Sequence, residues 1–172
     1  MKIRDAAPAD AAACAAIYAP YVTETVISFE AEPPTPEQIR DRMTEAQRSH
    51  AWLVAEADGR VIGYAYGRPF AARAAYRWSC ETSIYLDRDQ HGHGVGRALY
   101  SALLERLAER GYRTALAGMT LPNEASAGLH RAMGYEQVGV YRRIGWKNDA
   151  WRDVAWLQRS IGPDGEPPSE PR

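Results

Sequence analysis

The chain has 172 residues, 45% of them hydrophobic, enough for one domain with a substantial core. Its 21 basic side chains are matched by 22 acidic ones, which leaves no electrostatic footprint for nucleic acid, and none is expected as a partner. No apolar run approaches membrane-spanning length and the N-terminus reads as structured chain rather than a signal peptide, so a cytoplasmic location with no membrane partner is expected.

Lys2-Ile3-Arg4 reads as a short first strand. Pro8 then opens a helix, with Asp10 early and an alanine-rich body through Ile17 and Tyr18, and Pro20 is expected to limit the run. Thr23–Phe29 reads as extended and Glu30–Pro34 as an irregular link. The second helix starts with Thr35 as N-cap, Pro36 at the first helical position and Gln38 at the capping-box position, and runs to about Arg48. Trp52–Glu56 and Val61–Gly67 are strands of a hairpin turning at Asp58-Gly59. Phe70–Ala75 is a loop. Cys80, Thr82, Ile84 and Leu86 then alternate with Glu81, Ser83 and Tyr85 along the next strand. A glycine-rich turn leads into a helix whose apolar residues (Val95, Ala98, Leu99, Ala102, Leu103) recur at helical spacing and which ends near Gly111. Arg113–Met119 is a strand, Asn123 caps a helix through Met133, and Tyr135–Trp146 and Ala150–Ser160 are two further strands. Early hairpins followed by a strand–helix–strand unit predict an α/β fold, a single-domain mixed sheet flanked by helices over residues 1–161, with a disordered tail over 162–172.

The strand, glycine loop and helix start between Cys80 and Leu99 gather unpaired N–H groups at the positive end of a helix, a place for a phosphate or pyrophosphate. The P-loop pattern fails because Gly96 is followed by Arg97 and Ala98. The dinucleotide fingerprint fails in both registers, its sixth position falling on Arg97 or Leu99. His91 and His93 lack a third ligand nearby, and Cys14 and Cys80 lack metal spacing, so no metal is expected and the cysteines read as reduced, buried thiols.

The loop His91-Gly92-His93-Gly94-Val95-Gly96 resembles the pyrophosphate-binding loop of the GNAT superfamily of N-acetyltransferases, with His91 where that family usually has Arg or Gln. The element order agrees with GNAT folds, so the resemblance covers about residues 2–160. Within the superfamily the chain is similar to phosphinothricin and methionine sulfoximine N-acetyltransferases. The landmarks are Ser28-Phe29-Glu30-Ala31-Glu32-Pro33, Arg73-Ala74-Ala75-Tyr76, Glu81-Thr82-Ser83-Ile84-Tyr85-Leu86, Leu121-Pro122-Asn123, Leu129-His130-Arg131-Ala132-Met133-Gly134-Tyr135 and Gly145-Trp146-Lys147.

That resemblance implies acetyl-CoA as co-substrate and direct transfer to the α-amine of a small amino-acid-like molecule. A protonated amine must lose its proton before it attacks, and Glu81 stands at the family's base position. The developing oxyanion needs a donor, which the family takes from the backbone at Ile84, Tyr85 and Leu86. The resemblance assigns the diphosphate to His91, Gly92, His93, Gly94, Val95, Gly96, Arg97 and Ala98, and pantetheine contacts to Asn123 and Ser126. His130 stands where many relatives have a proton-donating tyrosine; it is read as that donor or as a helix residue beside coenzyme A. Substrate contacts fall on Phe29, Glu30, Arg73, Tyr76 and Lys147. The family usually forms homodimers, and the aromatic hairpin with Trp146, Trp151 and Trp156 suits an interface. A peptide or protein N-acetyltransferase of the same fold and a non-catalytic acyl-CoA-binding module are the alternatives.

Overall fold

A computed structural model describes residues 1–163 and 169–172. Seven strands, β1 (Lys2–Asp5), β2 (Trp52–Ala57), β3 (Arg60–Pro69), β4 (Ser79–Leu86), β5 (Thr114–Thr120), β6 (Glu136–Lys147) and β7 (Ala150–Ser160), form one mixed sheet in the order β1-β2-β3-β4-β5-β7-β6. Four helices accompany it: α1 (Ala11–Thr23), α2 (Pro36–Ser49), α3 (Val95–Glu109) and α4 (Glu124–Ala132).

Strand alternation decides which face each helix covers. Trp52, Val54 and Tyr64 point to one face and pack with Cys14, Val22, Ile39 and Met43 of α1 and α2. Leu53, Ala55, Cys80 and Ala115 point to the other and pack with Leu99, Leu103 and Leu107 of α3 and with Met133 just past α4. The α2 start is as the sequence reads: Thr35 Oγ1 accepts from the Gln38 amide at 3.2 Å, and Gln38 Oε1 accepts from the Thr35 amide at 2.8 Å.

Two local expectations are corrected. Pro20 lies inside α1 and does not stop it, because burial of Tyr21 and Val22 and a bond from the Glu24 amide to the Pro20 carbonyl hold one more turn. Thr23–Phe29 contains no strand beyond that turn. Thr25 Oγ1 donates to the Tyr21 carbonyl at 2.6 Å and accepts from the Ile27 amide at 3.1 Å, so the chain bends. The tail expectation falls partly on residues 164–168, outside those described. Ser169–Arg172 touch the body: Trp78 Nε1 donates to the Ser169 carbonyl and the Arg172 amide donates to the Arg110 carbonyl, both at 2.8 Å.

The sheet splits near its centre. The parallel strands β4 and β5 pair only at Ser79–Thr114, Cys80–Ala115 and Glu81–Leu116. Beyond Glu81 they part, while β5 stays paired to β7 as far as Thr120–Val154 and β4 to β3 as far as Leu86–Gly63. From Ser83 to Leu86, β4 therefore presents one open edge of backbone donors and acceptors.

Candidate active site

The open edge of β4 forms one wall of a groove of about 320 Å³. Ile84, Tyr85, Leu86, His91, Gly92, Gly94, Gly96, Arg97, Asn123 and Ser126 all line it, so ten of the expected carrier-binding residues converge. Gly94 caps α3 with φ +79° and no side-chain bond, a conformation glycine adopts without strain. The Ala98 amide already bonds the Gly94 carbonyl, leaving the amides of Val95, Gly96 and Arg97 without partners in the helix. Val95 and Ala98 do not line the groove, the Val95 side chain being buried in the core and the Ala98 amide being spent on Gly94; His93 is exposed and does not reach the groove either. His91 is tied down: Tyr21 donates its hydroxyl hydrogen to the Leu86 carbonyl at 2.6 Å, so it accepts from His91 Nε2–H at 3.0 Å. Asn123 Oδ1 accepts from the Ser126 amide at 3.1 Å and caps α4 at the groove's far wall.

A larger cavity of about 880 Å³ lies on the α1–α2 side of the same strand. Ile27 and Tyr85 line both, so the two spaces meet at β4. This larger cavity is charged. Glu81 faces into it, opposite Arg68 in the β3–β4 register, and Arg68 Nη2 donates to Glu81 Oε1 at 2.7 Å. Glu30 and Arg42 form a two-pronged pair at 2.5 and 3.1 Å, and this partner holds the Glu30 carboxyl below the usual carboxylate range. Phe29 lines the cavity with its ring on the backbone of Gly145, where any side chain would collide with it.

Four further expected residues, His130, Arg73, Tyr76 and Lys147, line neither space. His130 is 5% exposed and lines neither space. Its Nδ1 donates to the Ser126 carbonyl at 2.8 Å, which leaves Nε2 to accept from the Tyr100 hydroxyl at 3.1 Å. Tyr100 and Tyr135 in turn bond Thr82 Oγ1, at 2.7 and 2.9 Å, in a closed network. Burial pushes the His130 pKa down, which disfavours the imidazolium a proton donor needs. Arg73 is exposed at the start of a short helical turn, Ala74–Tyr76, which carries both Arg73 and Tyr76 out of the cavity; Tyr76 meets it only through Phe70, edge-on to Trp156. Lys147 spends its ammonium on three main-chain carbonyls, Val22 at 2.7 Å, Ser28 at 2.5 Å and Glu30 at 3.2 Å, so it clamps the loop that bears Phe29 and Glu30.

The sequence reading passed over Arg42 and Arg68. Arg42 sits in an amphipathic helix and Arg68 at a strand end, where charge is ordinary; the β3–β4 register that sets Arg68 opposite Glu81 follows a long connection over residues 70–78, so no local signal marks either residue. Burial pushes the Cys14 and Cys80 thiols up to about 12, so neither is an activated nucleophile. Among the described residues no three His, Cys, Asp or Glu side chains gather as metal ligands, and no helix is long and apolar enough to cross a membrane.

Residues 3–156 match the family described as Acetyltransferase (GNAT) domain. The chain is 38% identical over 172 residues to the phosphinothricin N-acetyltransferase of Streptomyces viridochromogenes, covering 100% of this chain and 92% of the relative. It is 36% identical over 174 residues to the L-methionine sulfoximine/L-methionine sulfone acetyltransferase of Pseudomonas aeruginosa, covering 96% and 98%. The crystal structure of a phosphinothricin acetyltransferase from Sinorhizobium meliloti in complex with AcCoA superposes with a TM-score of 0.91 at 35% identity, over 99% of this chain and 92% of that one. The chain belongs to the GNAT acetyltransferase family and is an N-acetyltransferase of the phosphinothricin/methionine sulfoximine type.

Proposed function

We propose that the chain transfers the acetyl group of acetyl-CoA directly to the α-amine of a small amino-acid-like substrate. The observation that carries the reading is the meeting of two unlike spaces at Tyr85: a backbone-lined groove on one side and a charged cavity containing Glu81 on the other. The residues present suit acetyl-CoA. The unpartnered amides of Val95, Gly96 and Arg97 suit its diphosphate, the open edge of β4 suits the amide-bearing pantetheine arm, and Ile84, Leu86 and Leu129 give the groove apolar walls.

When bound, acetyl-CoA supplies a thioester carbon open to attack by an amine. Glu81 takes the proton that the substrate ammonium must give up; its Oε1 is engaged by Arg68, and Oε2 makes no hydrogen bond among the described residues. The nitrogen lone pair then forms the C–N bond as the C–S bond breaks; the sulfur leaves with the bonding pair and, through solvent, takes up the second proton that the nitrogen sheds, so coenzyme A departs as the thiol. Backbone N–H groups of β4 between Ser83 and Leu86 stand ready as fixed donors to the carbonyl oxygen. His130 acts through packing: it holds α4 against Tyr100 and Thr82 at the point where β4 and β5 separate.

Release of thiol from acetyl-CoA with a panel of amines tests the reading. Turnover on methionine sulfone or phosphinothricin supports it. Turnover confined to peptides points to a peptide acetyltransferase, and binding without turnover to a regulatory module.

We further propose that two copies pair through the edge hairpin β6–β7. Val138, Tyr141, Ile144, Trp146 and Trp151 are each about half exposed or more there, on a sheet edge that soluble proteins ordinarily cover. Sedimentation of the wild-type chain beside an Ile144→Lys, Trp146→Lys variant checks this: loss of a dimer peak is expected, and a monomeric wild type overturns it. The two unpaired thiols fit a reducing compartment such as the cytoplasm.

A further inference from the structure

Neighbouring strands ordinarily pair along their whole length, because every open N–H and C=O is a template for the strand beside it. β4 and β5 do not. Their pairing stops at Glu81–Leu116, although β4 runs on to Leu86 and β5 to Thr120. The residue at the fork is Thr82, the first of β4 beyond the last pair. It points to the α3 face, opposite Glu81, and is 3% exposed.

Thr82 Oγ1 is where four other parts of the chain meet. The hydroxyl of Tyr135, just before β6, donates to it at 2.9 Å. Tyr100 Oη of α3 lies 2.7 Å away and donates onward to His130 Nε2 of α4 at 3.1 Å. The Leu116 carbonyl, on the β5 side of the last pair, stands 3.1 Å from the same oxygen, so the Thr82 hydrogen is shared between Tyr100 and Leu116. The Tyr100 and Tyr135 rings are parallel at 5.7 Å, and the imidazole is edge-on to both, at 5.3 and 5.0 Å. A block of three rings thus packs beneath the fork. None of the four side chains lines the groove or the cavity, so any effect they have on the reaction passes through β4.

We propose that Thr82 is a positioning residue whose hydroxyl holds the β4–β5 fork open. It ties β4 to the ring block and engages the last paired carbonyl of β5, so that Ser83–Leu86 keep a free edge for the pantetheine arm. The inference rests on the acetyl-CoA reading of the groove. Buried hydrogen bonds in a dry network are strong, and a partner left without one is costly. Without the hydroxyl, Tyr135 loses its acceptor and Leu116 a donor, and β4 is released to shift towards β5 and close the edge.

The test titrates coenzyme A into wild-type protein and into Thr82→Val and Thr82→Ser variants, and measures the KM of methionine sulfone at saturating acetyl-CoA. Valine keeps the branched shape without the hydroxyl; serine keeps the hydroxyl without the methyl. For Thr82→Val the coenzyme A Kd is expected to rise at least about fivefold, with the amine KM within about twofold, and Thr82→Ser is expected to recover most of the loss. A smaller rise overturns the assignment. A serine variant as weak as the valine one overturns it too, by making methyl packing the cause, and an amine KM raised in the same proportion does so by showing a general loosening. Should Thr82→Val fail to fold, Tyr135→Phe decides, since it takes one donor from the same oxygen and leaves Thr82 in place: weaker coenzyme A binding is expected, and unchanged binding overturns the proposal. Each of these results leaves acetyl transfer intact. If wild-type protein does not bind coenzyme A, the acetyl-CoA reading itself fails and this assignment fails with it.

Discussion

The groove and the cavity on either side of Tyr85 are built from different materials. The groove is backbone: three first-turn amides of α3, the glycines before them, and the unpaired edge of β4, with aliphatic side chains as walls. Its donors lie within one continuous stretch, from Ser83 to Arg97. The cavity is side chain: Glu30 from a bent loop, Arg42 from α2, Arg68 from β3 and Glu81 from β4, brought together by packing alone. A site made of backbone is fixed by local conformation and tolerates side-chain change. A site made of convergent charges depends on every element that aims them.

That contrast can be broken at its strongest point first. Glu81→Gln keeps the size of the side chain but removes the proton acceptor, so turnover at neutral pH should fall by about 10²–10⁴-fold. Raising the pH, which deprotonates the amine in solution, should restore part of it. Full activity across a pH–rate profile would remove Glu81 from the chemistry.

The groove is probed next through its backbone. Gly94→Val forces a β-branched residue to φ +79°, at a cost of about 1–2 kcal/mol. The KM for acetyl-CoA should rise about five- to thirtyfold with the amine KM little changed. Parallel rises in both constants would mean that the two spaces are not separable.

On the cavity side, Lys147→Met removes three charged donors from the loop bearing Phe29 and Glu30. Bonds of this kind are worth about 1.5–3 kcal/mol, of which only the share felt by loop position reaches the substrate. An amine KM raised about three- to tenfold, with that of acetyl-CoA unmoved, is the expected result in steady-state assays. Fully retained amine affinity would show the clamp to be idle.

The smallest effect on the chemistry is expected at His130. Burial holds its pKa below the ordinary imidazole value, which favours the neutral ring over the imidazolium a proton donor needs. Its stabilising contribution is complete above about pH 6.5 and is lost as the pH falls through the depressed folded-state value. His130→Phe should leave the shape of that profile unchanged while lowering unfolding stability by about 1–3 kcal/mol, since the Tyr100 hydroxyl and Ser126 carbonyl lose their partner. A vanished acid limb would restore His130 as a proton donor.

Legibility followed the same division. The element order, the capping box at Thr35, the α3 start at Gly94 and the cap at Asn123 could all be read, because each depends on neighbours within a few residues. Glu81 could be placed on the face opposite Cys80, because strand alternation needs no tertiary information. Arg73 and Lys147 matched a motif, but a motif does not say where a short helical turn sends its side chains or that an ammonium finds three carbonyls. Pro20 in α1 belongs to the same group: local propensity ends the helix there, and the burial of Tyr21 and Val22 overrides it.

By itself, then, the amino-acid order determined what short-range forces determine: the strands and helices, the glycine loop, and the face on which Glu81 lies. Only the tertiary structure decided that β4 and β5 part after Glu81, that Arg68 stands across from it, and that His130 closes a buried network instead of facing the groove. The physical reason is reach. Dihedral preference and hydrogen bonding along the chain act over a few residues, whereas a charge finds its partner only after the packing of distant elements has set the distance between them.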